Sequence, residues 1–438
     1  MANEGWLLPF LIMTNADQVR RPRGHRLSMR KALGLIRLVS MILLFGGICF
    51  ANDIYIGQNA SGSGNGSSCA NARAASFFNS GGNWGSGATQ IGPGTVVHLC
   101  GNITSGLTFQ GDGTSGNPVI VDGTGATAGS GWTVGRNYIV IQNVAWPNGG
   151  GVFIGGGSMP HDITIRNNSF RNEASNSDGD IIGTEGSYNV IIEGNYMENR
   201  ATNNDNHDDL IQTWAAGGNA SRAPHDWTIR YNYFVMNTTS ENNKSYHMLE
   251  GLTGAVNIYG NVYVGLRGAG GANGVNMNSN DSAMVANIYG NTMVQKSGGP
   301  NNLWNLKGNG RWNLRNNITY STNAANTLLG DAVGTSRMTR QNNLWYGSGS
   351  PSCVATEICG QNPQFRDYSG NDFGLQPGSP AVGTGANLGS AYLKSPAEGA
   401  QWPGPMIGTR SATSLWDLGA FVDVNAPAPP TGLQVTVR

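Results

Sequence analysis

The sequence has little charge and few cysteines. Only 12% of its 438 residues are charged, with 26 Lys+Arg against 26 Asp+Glu, and it contains five Cys. Long solvated helices are disfavoured by this composition. What the chain has instead is glycine, 66 residues of it, with abundant Asn and Ser. Such a composition favours many tight turns, and therefore an all-β chain.

The first 51 residues predict a secretory signal. A basic region at 29–37 precedes an apolar run at 38–50, and small residues end at Ala51, where we expect cleavage. The apolar run is too short for a stable membrane span. We therefore expect a secreted protein with no stable span after cleavage. Residues 1–28 precede a second start at Met29 and are interpreted as an upstream extension.

The mature chain is mildly acidic and has an even number of cysteines. Removing residues 1–51 takes away seven basic and two acidic residues, leaving a formal charge of about −5. This disfavours nucleic acid as a partner. Four Cys remain, and the simplest of three pairings joins Cys69 to Cys100 and Cys353 to Cys359. Their spacing lacks the paired units of a zinc site.

An internal repeat gives the strongest signal for the fold. Seven segments align without gaps at intervals of 26 to 37 residues, and one Asn recurs in each of them. These Asn residues are Asn168, Asn195, Asn232, Asn261, Asn291, Asn317 and Asn343. Upstream of each Asn, apolar and mostly polar positions alternate, as in a half-buried strand. The residue just before it is Asn, Gly or Tyr, which suits a left-handed bend.

One repeat cannot bury its apolar column alone, so the repeats must stack. Each strand then pairs with its equivalent one coil away, and the Asn amides bond along a ladder. The sequence predicts a single parallel β-solenoid over residues 52–425, with a capping helix at Cys69 to Asn79. Residues 426–438 are predicted to be a Pro-rich linker or tail. Leucine-rich and propeller patterns do not occur. We expect a monomer.

With these repeats the chain resembles the right-handed parallel β-helix proteins related to pectate lyase, which include extracellular polysaccharide lyases and hydrolases. The resemblance covers residues 90 to 345 as repeats. The closing segments at 375–385 and 417–421 are similar to those of secreted bacterial β-helix proteins. The resemblance implies an all-β, right-handed β-helix and an extracellular polysaccharide as partner. It does not fix an activity, because one fold carries many functions.

The candidate site is the polar stretch from Asn203 to Trp214. A pattern of one polar or small residue, two apolar residues and another polar or small residue occurs in three successive coils. In register, this pattern predicts two rows of residues: Asp180, Asp209 and His247 in the first, and Gly183, Gln212 and Glu250 in the second. Asp208, His207 and Lys244 are expected nearby.

A polysaccharide lyase is the favoured interpretation. Removing the C5 proton of a uronic acid requires a base and neutralisation of the sugar carboxylate. Clustered acidic oxygens suit Ca²⁺. The assignments are Asp208, Asp209 and Glu250 as cation ligands, and Lys244, His247, Asp209 and Arg267 as catalytic residues. The residues expected to bind substrate are His207, Gln212, Trp214, Arg222 and His225.

Two other functions remain open. In a glycoside hydrolase, Asp208, Asp209 and Glu250 would supply the acid and base, and the carboxylate separation would decide between inversion and retention. In a noncatalytic carbohydrate-binding or adhesin-like protein, the polar row would solvate one face of a sheet. Turn formation also accounts for much of the pattern, since His161 and His225 each precede an Asp and then a repeat strand.

Overall fold

The computed structural model describes residues 53–156, 159–172, 179–200, 208–215, 219–238, 244–267, 273–298, 302–331 and 335–424. Within these ranges the chain is a parallel β-helix, as the repeat predicts. Three parallel sheets run along it, and each full coil contributes one strand to each of them. The predicted signal, at 1–51, and the predicted tail, at 426–438, lie outside the described residues.

Sheet 1 carries the repeat strands. Its twelve strands in the described ranges are β1 (Asp53–Gly57), β2 (Arg73–Ala74), β3 (Val96–Cys100), β5 (Val119–Asp122), β8 (Ile139–Gln142), β11 (His161–Arg166), β14 (Tyr188–Glu193), β17 (His225–Arg230), β20 (Thr253–Tyr259), β23 (Val285–Tyr289), β26 (Arg311–Arg315) and β29 (Met338–Gln341). Their alternation points one column into the core, where Ile163, Val190 and Trp227 are fully buried and in register.

Sheet 2 follows sheet 1 after a sharp corner. Its eleven strands in the described ranges are β4 (Asn102–Ile103), β6 (Thr127–Ala128), β9 (Ala145–Trp146), β12 (Ser169–Asn172), β15 (Tyr196–Asn199), β18 (Tyr233–Asn237), β21 (Val262–Arg267), β24 (Thr292–Gln295), β27 (Ile318–Ser321), β30 (Leu344–Tyr346) and β31 (Ile358–Cys359). Every repeat Asn occupies this corner and is buried, with amide-to-amide distances of 2.9–3.1 Å along the ladder.

The residue before each ladder Asn has the left-handed backbone that the sequence predicts. From Asn167 to Asn342 the φ angles at these seven positions lie between 53° and 66°. Such a conformation costs little for Gly and Asn and more for Tyr231. The bend turns the chain from sheet 1 into sheet 2 within two residues, so the ladder marks the tightest corner of the coil.

Sheet 3 completes each coil and carries the candidate site. Its eight strands in the described ranges are β7 (Trp132–Val134), β10 (Val152–Ile154), β13 (Ile182–Glu185), β16 (Ile211–Trp214), β19 (His247–Glu250), β22 (Asn273–Ser279), β25 (Asn302–Gly308) and β28 (Thr327–Asp331). Alternate residues again face inward, so large side chains such as Trp132 and Trp304 fill the core beneath this sheet.

The N-terminal cap differs from the prediction. The stretch Cys69 to Asn79 is not one helix: a 3₁₀ turn at Cys69–Asn71 is followed by β2 and then by a four-residue helix, α1, at Ala75–Phe78. The cause is pairing, because Ile56 of β1 lies opposite Arg73 and draws the middle of the stretch into sheet 1. The disulfide between Cys69 and Cys100 holds its start.

The C-terminal end of the coil is closed by polar groups. The second predicted disulfide joins Cys353 to Cys359. Arg340, in the inward column of β29, pairs with Glu357 at 3.4 Å, and Glu357 accepts a 2.9 Å bond from the last ladder amide, Asn343. The row of apolar inward residues therefore ends in an ion pair.

The segment after the last coil returns along the corner between sheets 1 and 2. It contains two antiparallel hairpins, β32 (Phe365–Asp367) with β33 (Asp372–Leu375) and β34 (Lys394–Pro396) with β35 (Ile407–Thr409). Trp402 donates its indole N–H to the carbonyl of Tyr231 at 2.6 Å. Tyr392 packs edge-on against Tyr259 and Tyr289. We call residues 360–424 the return segment.

Candidate active site

The strand register of sheet 3 brings acidic residues and a lysine to the start of three neighbouring strands. Ile182, Ile211 and His247 lie opposite one another in β13, β16 and β19. Two residues earlier, the same register places Asp180 beside Asp209 and Asp209 beside Ser245, and the amide of Ser245 donates to Asp209 Oδ1 at 2.6 Å. One further residue back, Asp208 lies beside Lys244.

An ion pair between Lys244 and Asp208 is the most buried feature of this cluster. Lys244 Nζ lies 2.5 Å from Asp208 Oδ2, and both side chains are 1% exposed. The other carboxylate oxygen of Asp208 accepts a bond from the amide of Gly179 at 3.1 Å, and its carbonyl accepts one from the Asn199 side chain. Since burying a charge is costly unless it is paired, these contacts fix both residues in place.

Asp209 lies next to this pair and is also buried. Burial raises its pKa well above the ordinary value, and repulsion from Asp180 and Asp208 raises the pKa further, against the opposing effect of the Ser245 hydrogen bond. Asp180 is half-buried and accepts a bond from the Asp209 amide at 3.0 Å. Three carboxylates thus share a small volume with one ammonium group, so the cluster has an excess of negative charge.

The donor set suits a hard cation in charge and chemistry, since carboxylate oxygens are the ligands that Ca²⁺ prefers. The described residues do not form a ready-made metal site: they contain no group of three or more His, Cys, Asp or Glu side chains placed to hold an ion. Oxygens of Asp180, Asp208 and Asp209 instead accept bonds from neighbouring N–H groups. A cation would have to displace some of these partners.

The predicted rows are correct for two coils and wrong for the third. Asp180 with Asp209 and Gly183 with Gln212 are in register as expected, but the third coil is displaced by two residues, so Ser245 and Met248 occupy the positions assigned to His247 and Glu250. The spacing to the ladder Asn could not reveal this, because loop lengths differ between coils.

His247 lies in the core instead of the acidic cluster. It is fully buried, with its ring 4.9 Å from Phe234 and 5.4 Å from Tyr263, centroid to centroid. Burial lowers its pKa to about 3. Neither ring nitrogen has a hydrogen-bond partner among the described residues. Glu250, at the other end of β19, is exposed and lies opposite Asn278 of β22.

A groove of about 680 Å³ lies on the outer face of sheet 3, beside the acidic cluster. Asp180 lines it, together with the half-buried rings of Phe153 and Trp214, whose centroids are 6.0 Å apart. Gly183 lies between them, and a Cβ there would be 3.6 Å from the Trp214 ring. The missing side chain therefore keeps the floor open between the aromatic rings and the Asp180 carboxylate.

The remaining predicted residues lie in several places. Gln212 is half-buried and faces outward in β16, next to Gly183, while Arg222 ends a 3₁₀ turn at Ala220–Arg222. Arg267 ends β21 in sheet 2, opposite Asn237, and its side chain is outside the described part of the structure. His207 lies outside the described residues as well.

His225 is on the outer face of sheet 1 and has a structural environment. Its ring stacks on Tyr188 at 4.7 Å, and its Nδ1 contacts Asp226 at 2.8 Å. Tyr188 stacks on His161 at the same distance on its other side. Asp162 and Asp226 have φ angles of 57° and 56°, which agrees with the turn-forming interpretation of both His-Asp pairs.

Two contributors to the site were missing from the predicted rows. Phe153 shapes the groove together with Gly183, and Ser245 holds Asp209 through its amide. Phe153 lies two coils before Gln212 in the outward row of sheet 3, through Gly183. Extending the predicted second row one coil toward the N-terminus would have found it.

Among the known proteins compared with this chain, solved structures alone are similar to it. No protein-family model matches the sequence, and no curated protein matches it. The chain is similar in structure to pectate lyase Pel9A, with 15% identity, a TM-score of 0.42, and coverage of 86% of this chain and 98% of that one. These values do not assign a family or an activity.

Two further structures are similar at a lower level. One is pectate lyase Bsp165PelA from Bacillus sp. N165 in complex with trigalacturonate, with 12% identity, a TM-score of 0.34, and coverage of 70% of this chain and 82% of that one. The other is a rhamnogalacturonan lyase, with 12% identity, a TM-score of 0.34, and coverage of 70% and 90%. The fold assignment given above depends on the strand pairing within the chain itself.

Proposed function

We propose that the protein is a polysaccharide lyase that cleaves a uronic-acid-containing polysaccharide by β-elimination. The observation that carries the proposal is the pairing of Lys244 with Asp208 beside Asp209 and Asp180, of which Asp180 lines an open groove. Lysine is a base that can remove a proton next to a carboxylate, and the aromatic rings of Phe153 and Trp214 offer apolar faces to sugar rings.

Lys244 is the residue we assign to proton abstraction. The Lys244 ammonium first gives a proton to solvent, and its neutral Nζ then takes the proton from C5 of the uronate. The electron pair of the broken C5–H bond forms the C4–C5 double bond, and the C4–O bond breaks as the leaving sugar oxygen takes a proton from solvent. Asp208 holds the Lys244 ammonium before the reaction, so this ion pair must open for Lys244 to reach the substrate.

Asp180, Asp208 and Asp209 are the residues we assign to a cation, with Ca²⁺ as the proposed ion. These residues would hold the ion, and Ca²⁺ bound there would supply a positive charge opposite the uronate carboxylate. Asp180 is the half-buried member and lines the groove, so it offers the approach from solvent. Glu250 is exposed at the far end of β19 and is not part of this proposed set.

The replacement Lys244→Arg tests the base. Arg keeps a positive charge opposite Asp208 but does not lose its proton in proteins. We expect formation of unsaturated uronate from pectate, alginate or a glycosaminoglycan, followed by its ultraviolet absorbance, to fall by about 10²- to 10⁴-fold. Lys394→Arg is the matched control, since Lys394 is exposed and bonds to Thr409 in the return segment.

Two results would contradict the lyase. One is the absence of unsaturated product from every acidic polysaccharide, with and without Ca²⁺. The other is release of reducing ends without unsaturation, which would indicate a hydrolase. Wild-type activity in Lys244→Arg would remove Lys244 from the mechanism.

Thermal unfolding with Ca²⁺ tests the cation site independently of activity. We expect Ca²⁺ at 100 times its Kd to stabilise the wild type by about 2.7 kcal/mol and so to raise its Tm. The Tm of Asp209→Asn should not change with Ca²⁺. The raised pKa of Asp209 means that its ionised form is disfavoured in the fold. The stability that the protonated carboxyl contributes is therefore lost as the pH rises above the pKa of Asp209 in the unfolded chain. Without Ca²⁺, Asp209→Asn should therefore be at least as stable as the wild type at neutral pH.

We also propose that the protein is exported. Two disulfides, Cys69–Cys100 and Cys353–Cys359, support an oxidising compartment. No helix of the described part of the chain is long and apolar enough to cross a membrane. The N-terminal sequence of the mature protein from the culture medium tests this proposal, with Asn52 as the expected first residue.

A further inference from the structure

A second cavity of about 400 Å³ lies between the outer face of sheet 2 and the return segment. Its floor is formed by outward residues of β15, β18 and β21, and its wall by residues 370–373, 399–402 and Phe421. It shares no lining residue with the groove on sheet 3. Its volume lies within the range of small-molecule sites in proteins.

Aromatic rings give this cavity flat apolar surfaces. Tyr196 and Tyr233, from neighbouring coils, stack at 6.0 Å with an interplanar angle of 10°. Trp402 of the return segment lies 5.1 Å from Tyr233 at 47°. All three are half-buried, so part of each ring faces the cavity. Such surfaces suit the C–H face of a pyranose ring, which is apolar, while the ring edge carries hydroxyl groups.

One polar group in the cavity lining has an unmet hydrogen-bonding need. Asn371, at the end of the loop between β32 and β33, has a buried Oδ1 with no hydrogen-bond partner among the described residues. Its backbone is held at a φ of 67°. A buried acceptor without a donor costs about 1–3 kcal/mol. If the side chain turns toward the cavity, a hydroxyl group of a bound molecule would satisfy it.

The described lining of the cavity offers no cation to an acidic ligand. Among the described side chains that line it, the charged one is Asp372, which pairs with Arg366 at 3.2 Å. Glu198, behind the Tyr196 ring, is likewise paired, with Arg171 and Arg200. No Lys or Arg is among the described lining residues, so a uronate carboxylate would enter without a cation to pair with, whereas a neutral sugar needs none.

We propose that this cavity is a secondary binding site for a neutral, pyranose-containing oligosaccharide. It would retain the protein on neutral chains or branches while the groove on sheet 3 acts elsewhere on the material. The proposal depends on the cavity alone, so it stands or falls separately from the lyase assignment.

Calorimetric titration tests the site with neutral and acidic probes. The neutral probes are β-1,4-linked galactotetraose, xylotetraose and cellotetraose, and the acidic one is trigalacturonate. We expect saturable 1:1 binding of at least one neutral probe, and no displacement of that probe by trigalacturonate. Asn371→Gly should weaken the binding by about fivefold to tenfold, because it removes the acceptor while Gly keeps the left-handed backbone.

Matched variants separate ligand contacts from folding. Gln364→Gly makes the same kind of change at another left-handed, exposed position of the return segment and should bind like the wild type. Trp402→Phe keeps an aromatic ring but loses the bond to the Tyr231 carbonyl, and should weaken binding by a few-fold. The proposal is wrong if no neutral probe binds, if Asn371→Gly and Trp402→Phe both bind like the wild type, or if trigalacturonate competes for the cavity.

Discussion

At the residue scale, the neighbours of a buried titratable side chain decide what chemistry it can do. His247 and Lys244 lie three positions apart in sequence, and both are residue types that can act as a base. One faces the aromatic core of the coil, and the other faces Asp208. The difference arises where the strand begins, because His247 is the first residue of β19 and faces the core, whereas Lys244 lies before the strand, beside Asp208.

The burial of His247 predicts a specific loss of stability in acid. Its pKa is about 3 in the fold, against 6.5 for the ordinary side chain. The unfolded chain therefore binds more protons between these values, so stability is full above pH 6.5 and falls as the pH drops toward 3. For His247→Leu we expect the wild-type loss between pH 7 and pH 4 to shrink by on the order of 3 kcal/mol, measured by urea unfolding at both pH values.

The same variant also separates core from catalysis. His247→Leu should keep the proposed lyase activity, since the ring faces away from the groove. His225→Leu, on the outer face of sheet 1, is the control and should change the acid sensitivity much less, because its ring is only half-buried there. An equal effect in the two variants would contradict the buried position of His247.

Sequence reasoning could identify the acidic cluster but not its lysine partner with certainty. Asp208, Asp209 and Lys244 were each recognised, because charged residues are few in this chain. The choice between Lys244 and His247 depended on register, and the loop before β19 contributes residues that no repeat pattern counts. Only strand pairing, Ile211 opposite His247, fixes that choice.

At the element scale, the Asn ladder is the feature that sequence specified most completely. Its column, its left-handed bends and its amide contacts all follow from one recurring residue and its predecessor. Each interior Asn donates to a backbone carbonyl and to the next Asn, and accepts from the previous one. The predicted capping helix is reduced to Ala75–Phe78, because Arg73 pairs with β1 and draws the middle of the stretch into sheet 1.

Replacing Asn317 or Asn313 compares the stability that the buried ladder contributes with that of an outward-facing Asn pair. The Asn317 side chain makes four buried bonds: it donates to Ile288 and Asn343 and accepts twice from Asn291. Asn313 faces outward and donates once, to Asn287 at 3.0 Å. We expect Asn317→Ala to cost about 3 kcal/mol or more and Asn313→Ala about 1 kcal/mol or less.

Denaturant unfolding of both variants measures the difference. The larger loss at Asn317 follows from the partners it leaves behind, since buried groups without bonds are more costly than bonds that water can replace. Equal losses in the two variants would mean that the inward ladder adds no more to the free energy of unfolding than an outward Asn pair does.

At the scale of the whole molecule, stacking explains why the fold was predictable while the surfaces were not. A repeat that buries one column must stack, so the solenoid follows from periodicity. The return segment has no such period. Its contacts join residues far apart in sequence, such as Trp402 with Tyr231, and the cavity on sheet 2 exists only because of them.

The polar closure of the last coil predicts how the chain behaves at high concentration. Sheet 1 ends in β29, whose outer edge has no further strand among the described residues. Arg340 stands there in the inward column, where Leu314 stands one coil earlier. Arg340→Leu would continue the apolar column to the edge and leave Glu357 buried without its partner. We expect this variant to self-associate, measured by light scattering and sedimentation, whereas Arg337→Leu, outside that column, should not.

A solenoid is by construction a template for its own extension, since each coil presents the backbone and the apolar column that the next coil needs. At the last coil the ion pair of Arg340 and Glu357 replaces the apolar column, although the strand edge itself is still present. A second molecule meeting this end would have to dock its strand against a charged pair instead of an apolar side chain. We therefore expect the pair to disfavour end-to-end growth, which is the difference between a finite molecule and a fibre.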